Sequence, residues 1–398
     1  MAKIKRKMKN IFNAYNEKEL RLRTSKKWGT HGRDIIPLDI AEVDVAFDKS
    51  IINELSYLTR YADCGYVSEK DISEYKETYS QYYERKHHNK IENLSKAVVF
   101  PGVIAASRIL SQIYFEDKKA IGLKRNMIIS SPVYPPFITT IAEGCKLHDV
   151  PLNKDWRLDL KALEKKFKSL KGKAAIYLLC NPQNPTGTIH TSDELEKLVE
   201  YSNKYGVLII SDEIYSDMLE PGQFNSLLCA KDAKNAISVV SPTKAFGLPG
   251  LKSSIVFPFG DGEKLTEKAP KVIDHILNHY PVRCAIAAYK YGDKYLKEFR
   301  ASLDENFKYF EELMKKNLPQ AKIYYTGAVP LAWVDMKEYK DVNAQFIYKY
   351  AKVSVNDGVP FGGAKYKTFI RFNVATNQKV LKKGIEQIAD AIKKNGKK

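Results

Sequence analysis

The sequence predicts an α/β protein with a mainly parallel central sheet, followed by a smaller α+β domain. Three observations carry this expectation. The middle of the 398-residue chain alternates short apolar runs with stretches of helical periodicity. Two of the runs, 174–180 and 207–211, are apolar throughout, as expected of parallel strands covered on both faces. After about residue 281 the pattern changes to a long helical stretch and then scattered strands.

The candidate strands of the central sheet, in order, are 97–100, 127–130, 146–150, 174–180, 207–211, 236–240 and 253–257. A helix at 103–115 follows a Pro-Gly turn. Another, at 192–205, starts from Thr191 or Ser192 with Glu194 and Glu196 in its first turn, where acids suit the helix dipole. One long helix is expected over 290–316. Strand-like pieces at 322–325, 331–335 and 368–374 precede a final helix at 380–394. The first 50 or so residues show no sheet pattern and are expected to complete the second domain.

Composition narrows the function classes. Hydrophobic residues make up 44% of the chain and aromatics 11%, so a packed globular protein is expected. Lys and Arg number 65 against 47 Asp and Glu, a net charge of +18. The basic residues are spread along the chain, with clusters at Lys3, Lys5, Arg6, Lys7 and Lys9 and at Lys393, Lys394, Lys397 and Lys398. No zinc-finger spacing, RNP-like aromatic motif or basic–heptad arrangement accompanies them, so a lysine-rich solvated surface is expected rather than a nucleic-acid partner. The cysteines are Cys64, Cys145, Cys180, Cys229 and Cys284, an odd number without a CxxC pair. That argues against a disulfide framework or a metal site and for a reducing compartment. No apolar segment follows the basic N-terminus and no run is long enough to span a bilayer. A cytoplasmic protein without a membrane partner is expected.

Ligands of open α/β sheets bind beyond the carboxyl ends of the strands, and four such ends carry unusual residues. Pro101-Gly102-Val103-Ile104 joins a strand to a helix, whose free N–H groups suit an anion. Asn181-Pro-Gln-Asn-Pro-Thr-Gly187 is a stiff loop, a candidate for a cis X–Pro bond, able to hold the Asn184 amide at a fixed point. Ser211-Asp212-Glu213-Ile214-Tyr215 puts an acid at the end of an apolar strand, where it needs a partner such as a protonated ring nitrogen. Tyr215 can point into the same site. Ser241-Pro-Thr-Lys244 opens an apolar, Gly- and Pro-rich segment, and a lysine with a lowered pKa there can form a Schiff base with an aldehyde. Together these residues describe a ligand with a phosphate, a protonated ring nitrogen, a phenolic oxygen and an aldehyde: pyridoxal 5′-phosphate (PLP).

At this point the sequence resembles the fold-type I PLP-dependent enzymes of the class I/II aminotransferase superfamily, through the 181–187, 211–215 and 241–244 motifs in the family's order and spacing. The resemblance implies a mainly parallel seven-stranded central sheet in a large domain at 49–290, with a smaller α+β domain built from 1–48 and 291–398. It implies that Lys244 carries the cofactor and moves the Cα proton, and that Asp212 pairs with the pyridinium nitrogen. Asn184 and Tyr215 would bind the phenolic oxygen. Gly102, Val103, Ile104 and Ser241 would cradle the phosphate. Tyr134 would stack on the ring. Arg371, with Ala41 and Asn184, would bind the substrate, Arg371 clamping its α-carboxylate. Tyr66 resembles the tyrosine that reaches a neighbouring subunit's phosphate, which implies a homodimer with shared active sites. Where the family often has an arginine on the phosphate this chain has Lys252, a point charge without the forked geometry.

Within that superfamily, Arg21-Leu-Arg-Thr-Ser-Lys-Lys-Trp28 followed by Ile36-Pro-Leu-Asp-Ile-Ala-Glu-Val-Asp44 resembles the cystathionine β-lyase, or carbon–sulfur lyase, branch. So do Phe100-Pro-Gly-Val-Ile104 and Pro132-Val-Tyr-Pro-Pro-Phe137. Asp39, Val45 and Tyr215 depart from it, and Tyr215 is the residue aminotransferases prefer. The expected activity is β-elimination from an L-cysteine S-conjugate or cystathionine. Transamination of an L-amino acid, and elimination or cyclisation at Cβ or Cγ of an unusual amino acid, are the alternatives. Arg33, Arg108 and Arg283 are candidates for binding a side-chain carboxylate.

Overall fold

The apolar runs become strands because each offers one row of side chains to either face of a sheet. Ile176, Leu178 and Cys180 pack with one core cluster, and Ala175, Tyr177 and Leu179 with another. The computed structural model describes residues 9–92, 94–230, 232–269 and 272–396. Lys3, Lys5, Arg6, Lys7, Lys397 and Lys398 lie outside the described residues.

Seven strands form the central sheet: β1 (Val98–Phe100), β2 (Asn126–Ile129), β3 (Lys146–Asp149), β4 (Ala175–Cys180), β5 (Leu208–Asp212), β6 (Asn235–Val240) and β7 (Ser254–Gly260). Their spatial order is β1-β7-β6-β5-β4-β2-β3, and every pairing is parallel except those of β7. The expected mainly parallel seven-stranded sheet is therefore present, with edges shifted by a residue or a few.

Eight helices matter here. They are α1 (Lys49–Arg60), α2 (Glu69–His87), α3 (Val103–Asp117), α4 (Leu160–Ser169), α5 (Ser192–Tyr205), α6 (His279–Tyr291), α7 (Asp293–Asn317) and α8 (Gln378–Asn395). Helix α3 covers one sheet face through Val103, Ala106 and Leu110. Helices α4 and α5 cover the other through Leu163, Phe167, Leu195 and Leu198. Helix α5 occupies the predicted span: Thr191 and Glu194 form a capping box, and Gly206 closes the end at φ +72°.

A four-stranded antiparallel sheet follows, ordered β10-β11-β9-β8, from β8 (Lys322–Tyr324), β9 (Leu331–Asp335), β10 (Asn356–Asp357) and β11 (Phe369–Asn373). The N-terminal segment joins it more than its pattern suggested. Ile36–Pro37 pairs in parallel with Val353–Ser354, and Asn373 N–H donates to the Leu38 carbonyl at 2.8 Å. Two-residue strands such as these carry no legible periodicity. No helix among the described residues is long and apolar enough to cross a membrane.

The expected long helix over 290–316 is present as α7, which begins at Asp293, and α6 ends just before it with Gly292 between them. A Cβ at Gly292 would lie 2.4 Å from both the Ala288 carbonyl oxygen and the fully buried Phe246 ring. The junction also presses α6 onto α2: the Tyr289 ring sits 5.0 Å from Tyr79 and 4.8 Å from Tyr82. Gly292→Ala should therefore lose about 1–3 kcal/mol through overpacking. Chemical denaturation at fixed protein concentration should show a lower midpoint with an unchanged slope.

Candidate active site

Register brings the candidate residues together. The last residue of β4, Cys180, lies opposite the last of β5, Asp212, and Asp212 lies opposite Val239 of β6. The loops after these three neighbouring strands thus leave one edge of the sheet side by side. β1 ends at the same edge, and its turn starts α3. These segments line one cavity of about 530 Å³, whose walls include Gly102, Val103, Ile104, Tyr134, Asn184, Asp212, Tyr215, Lys244 and Lys252.

Lys244 is half-buried, and its Nζ donates to the Ala41 carbonyl at 2.8 Å. Burial brings its pKa down to about 8, aided by repulsion from Arg371 and opposed by Glu42 and Asp212. Asp212 is buried, its carboxyl raised to about 6 by burial while the Ile214 N–H and the Lys244 charge pull the other way. It forms no ion pair among the described residues. Asn184 Nδ2 donates to the Tyr215 hydroxyl at 3.3 Å. Both Asn–Pro bonds of the 181–187 loop are cis. The loop is pinned by Gln183, which donates to the Ser130 and Pro132 carbonyls.

Helix α3 begins with Gly102 at φ +102° and no side chain caps it. Its first N–H groups therefore remain available to an anion, with the Lys252 chain alongside. An uncapped helix end, a buried acid lacking a cation and an amine poised near neutrality together match the polar groups of PLP.

Three sequence candidates sit one contact away from the cavity wall. Arg371, on β11, is 4% exposed. Its Nη1 donates to Asn184 Oδ1 at 3.2 Å, its Nη2 to the Asp39 carbonyl at 2.9 Å and to Asn356 Oδ1, and its buried Nε has no partner among the described residues. Ala41 offers only its carbonyl. Ser241 is not a lining residue: its hydroxyl donates to the Ser253 carbonyl at 2.7 Å and contacts Thr243, which does line the cavity. Thr243 went unnoticed although it precedes the lysine in the same motif. Tyr66 lies apart and is 86% exposed.

Two of the arginines considered for a side-chain carboxylate are placed elsewhere. Arg283 is taken up by Glu54, Asp71 and Glu74, and Arg33 is exposed. Arg108 reaches the cavity, but its Nη1 already serves the carbonyls of Thr140, Ile141 and Glu143. Of the departures from the lyase pattern, Asp39 is buried against Ser354 Oγ (2.8 Å) and His31 Nε2 (3.1 Å). Val45 packs beside Gly247, three residues after Lys244.

The family model for class I and II aminotransferases matches residues 52–388. The chain belongs to this family. Among its aminotransferase-family relatives, the cystathionine β-lyase PatB of Bacillus subtilis strain 168 is 26% identical, with 95% of this chain and 99% of that protein covered. The cystathionine β-lyase of Corynebacterium glutamicum is 25% identical, with 94% and 98% covered. The crystal structure of the PLP-bound C–S lyase from Staphylococcus hominis superimposes with a TM-score of 0.82 at 25% identity, covering 96% of this chain and all of that one.

The lowered pKa of Lys244 has a direct readout. In the cofactor-free protein, acylation of Lys244 by an amine-directed reagent should rise with pH and level off above about 8. Exposed lysines should still be climbing there, towards their ordinary pKa of about 10.4. Peptide mass spectrometry across a pH series measures both.

Proposed function

We propose that this chain is a PLP-dependent carbon–sulfur lyase that releases a thiol, pyruvate and ammonia from an L-cysteine S-conjugate or cystathionine by β-elimination. The observation that carries the reading is the meeting of Lys244, Asp212, Asn184, Tyr215 and the open end of α3 around one cavity. Relatives named cystathionine β-lyase, aligned over nearly the whole chain, support the reaction class.

Bound there, PLP supplies an aldehyde that condenses with amines and a protonated ring that accepts the electron pair of a broken Cα–H bond. The protein's part follows from its residues. Lys244 carries the cofactor and, once free, takes the Cα proton; a pKa near 8 leaves enough of the amine neutral to act as a base. Asp212, ionised near neutral pH, keeps the ring nitrogen protonated. Asn184 and Tyr215 hold the phenolic oxygen. The N–H groups of Val103 and Ile104, the Gly102 turn and Lys252 hold the phosphate, with Ser241 supporting Thr243 and Ser253 from behind. Tyr134 covers the ring. Arg371, with its Nε unpartnered, receives the substrate α-carboxylate beside Asn184 and Ala41.

Tyr66 serves the partner's site in a homodimer, a reading supported by its being an aromatic residue 86% exposed in the single chain. The large domain at 49–290 carries the cofactor, and 1–48 with 291–398 form the small domain that brings Arg371. The protein acts in the cytoplasm, without nucleic acid or membrane as a partner.

A second reading, transamination, is favoured by Tyr215. It shares the proton abstraction but returns a proton to the cofactor instead of losing a group from Cβ. One assay separates the two. With cystathionine and no keto acid, the loaded enzyme should release pyruvate continuously; strict dependence on an added keto acid would overturn the lyase reading. Separately, Asp212→Asn should keep bound cofactor but lower kcat by about a hundred-fold or more, as expected for removal of a preorganised electrostatic group. Steady-state kinetics on the loaded variant measures it.

A further inference from the structure

Residues 38–45 cross the active site as a strap without helix or strand, yet its main chain is tied at nearly every step. The Asp39 carbonyl accepts from Arg371. The carbonyls of Ile40 and Glu42 both accept from the Asn373 amide, at 2.6 and 2.7 Å. The Glu42 carbonyl also accepts from Lys27 Nζ at 3.1 Å, and the Asp44 N–H donates to the Ala375 carbonyl at 2.9 Å. The Ala41 carbonyl differs, because its donor is Lys244 itself.

The strap's far end is anchored by an ion pair shut away from water. Lys27 Nζ lies 2.7 Å from Asp44 Oδ2, with side-chain exposures of 0% and 1%. Asp44 Oδ1 accepts from Trp28 Nε1 at 2.8 Å. Burying such a pair gains little net stability, because desolvation offsets the attraction. What it does give is fixed geometry, here at a point three residues from Ala41.

We infer that Lys27 and Asp44, together with Asn373, are positioning residues that hold the Ala41 carbonyl where it orients the freed Lys244 amine towards the substrate Cα. The inference rests on Lys244 being the base. In the step, the Cα–H bond breaks, a new Nζ–H bond forms, and the electron pair left at Cα would be drawn into the protonated ring of the bound cofactor. One existing Nζ–H is held by the Ala41 carbonyl, so the direction of the nitrogen lone pair is set before the proton moves. A strap that drifts leaves the amine to rotate, and a misplacement of about 1 Å can cost a hundred-fold in rate.

The test uses PLP-loaded enzyme and two variants. Lys27→Met/Asp44→Asn removes both buried charges together, while the partly exposed Arg23, 3.5 Å from Asp44 Oδ1, keeps its bond to the Val45 carbonyl. Trp28→Phe removes only the indole N–H. The first readout is exchange of the Cα proton of L-alanine with solvent deuterium, followed by proton NMR. It needs Lys244 but no leaving group. The second is the isotope effect on kcat with Cα-deuterated cystathionine. The double variant should keep the cofactor's visible absorption and thermal midpoint, lose about ten- to a hundred-fold in exchange rate, and show a larger isotope effect. Trp28→Phe should move the same way by less. Unchanged exchange and isotope effect in loaded variants overturn the inference. Loss of exchange together with loss of bound cofactor also overturns it, since the pair is then merely structural. Wild-type exchange without pyruvate from cystathionine overturns the lyase reading alone, and the exchange comparison still decides the strap.

Discussion

Two distant parts of the chain meet at the Lys244 amine. One is the central sheet with its loops; the other is the strap at 38–45, tied to β11. Burial lowers the amine's pKa, and Arg371 adds repulsion, because it too is held in the interior. Among the described residues neither cation has an ion-paired carboxylate: Lys244 is held by the Ala41 carbonyl and Arg371 by the Asp39 carbonyl and two asparagines. Carbonyl dipoles satisfy the donors without adding the charge that would draw the lysine back to its usual state. Glu42 and Asp212 exert some of that pull, which helps to hold the pKa near 8.

The central sheet was legible because most of its strands, the edge strand β3 apart, are buried on both faces, as the apolar run Ala175–Cys180 is. The site was legible for a related reason. Polar residues after such runs stand out, and register then places Cys180 beside Asp212 without further information. What escaped was whatever depends on contacts between distant segments. Nothing local marks Lys27 as a buried cation among so many lysines, and only the fold brings Asp44 to it. The close packing at Gly292 escaped because the Phe246 ring that a Cβ there would meet is far away in sequence.

Asp212 and Glu213 show how far strand geometry alone divides two adjacent acids. Asp212 is the last residue of β5 and faces the cavity. Glu213 points elsewhere and is fully buried, its carboxylate accepting from Ser211, Ser226 and the Leu227 N–H. Burial raises its pKa to about 7 despite those donors. Glu213 has its hydrogen bonds supplied by the protein; Asp212 receives only the Ile214 N–H and a distant amine. The acid with unmet demand faces the open space, which is why one of the pair reads as chemistry and the other as structure.

The same reasoning bears on the choice of reaction. In the proposed reaction, proton abstraction at Cα rests on Lys244, Asp212 and Arg371. The fate of the electron pair depends on what surrounds Cβ and on whether a donor can reach the cofactor's carbon. Two departures from the lyase pattern lie in or beside the strap, and the third is Tyr215. Asp39 turns its side chain away towards Ser354 and His31, so it shapes the strap rather than the cavity wall. Val45 fills space beside Gly247, whose positive φ and lack of a Cβ let the strap approach the Lys244 segment. Both therefore bear on where the strap sits. Tyr215 alone lines the cavity, with its hydroxyl already accepting from Asn184. A tyrosine so engaged, its own pKa pushed well up by burial, holds its proton. In the proposed reading it is therefore a hydrogen-bonding partner of the cofactor, which either reaction can use. The strap carries two of the three departures and hydrogen-bonds both cations, so changes there act through Lys244 and Arg371.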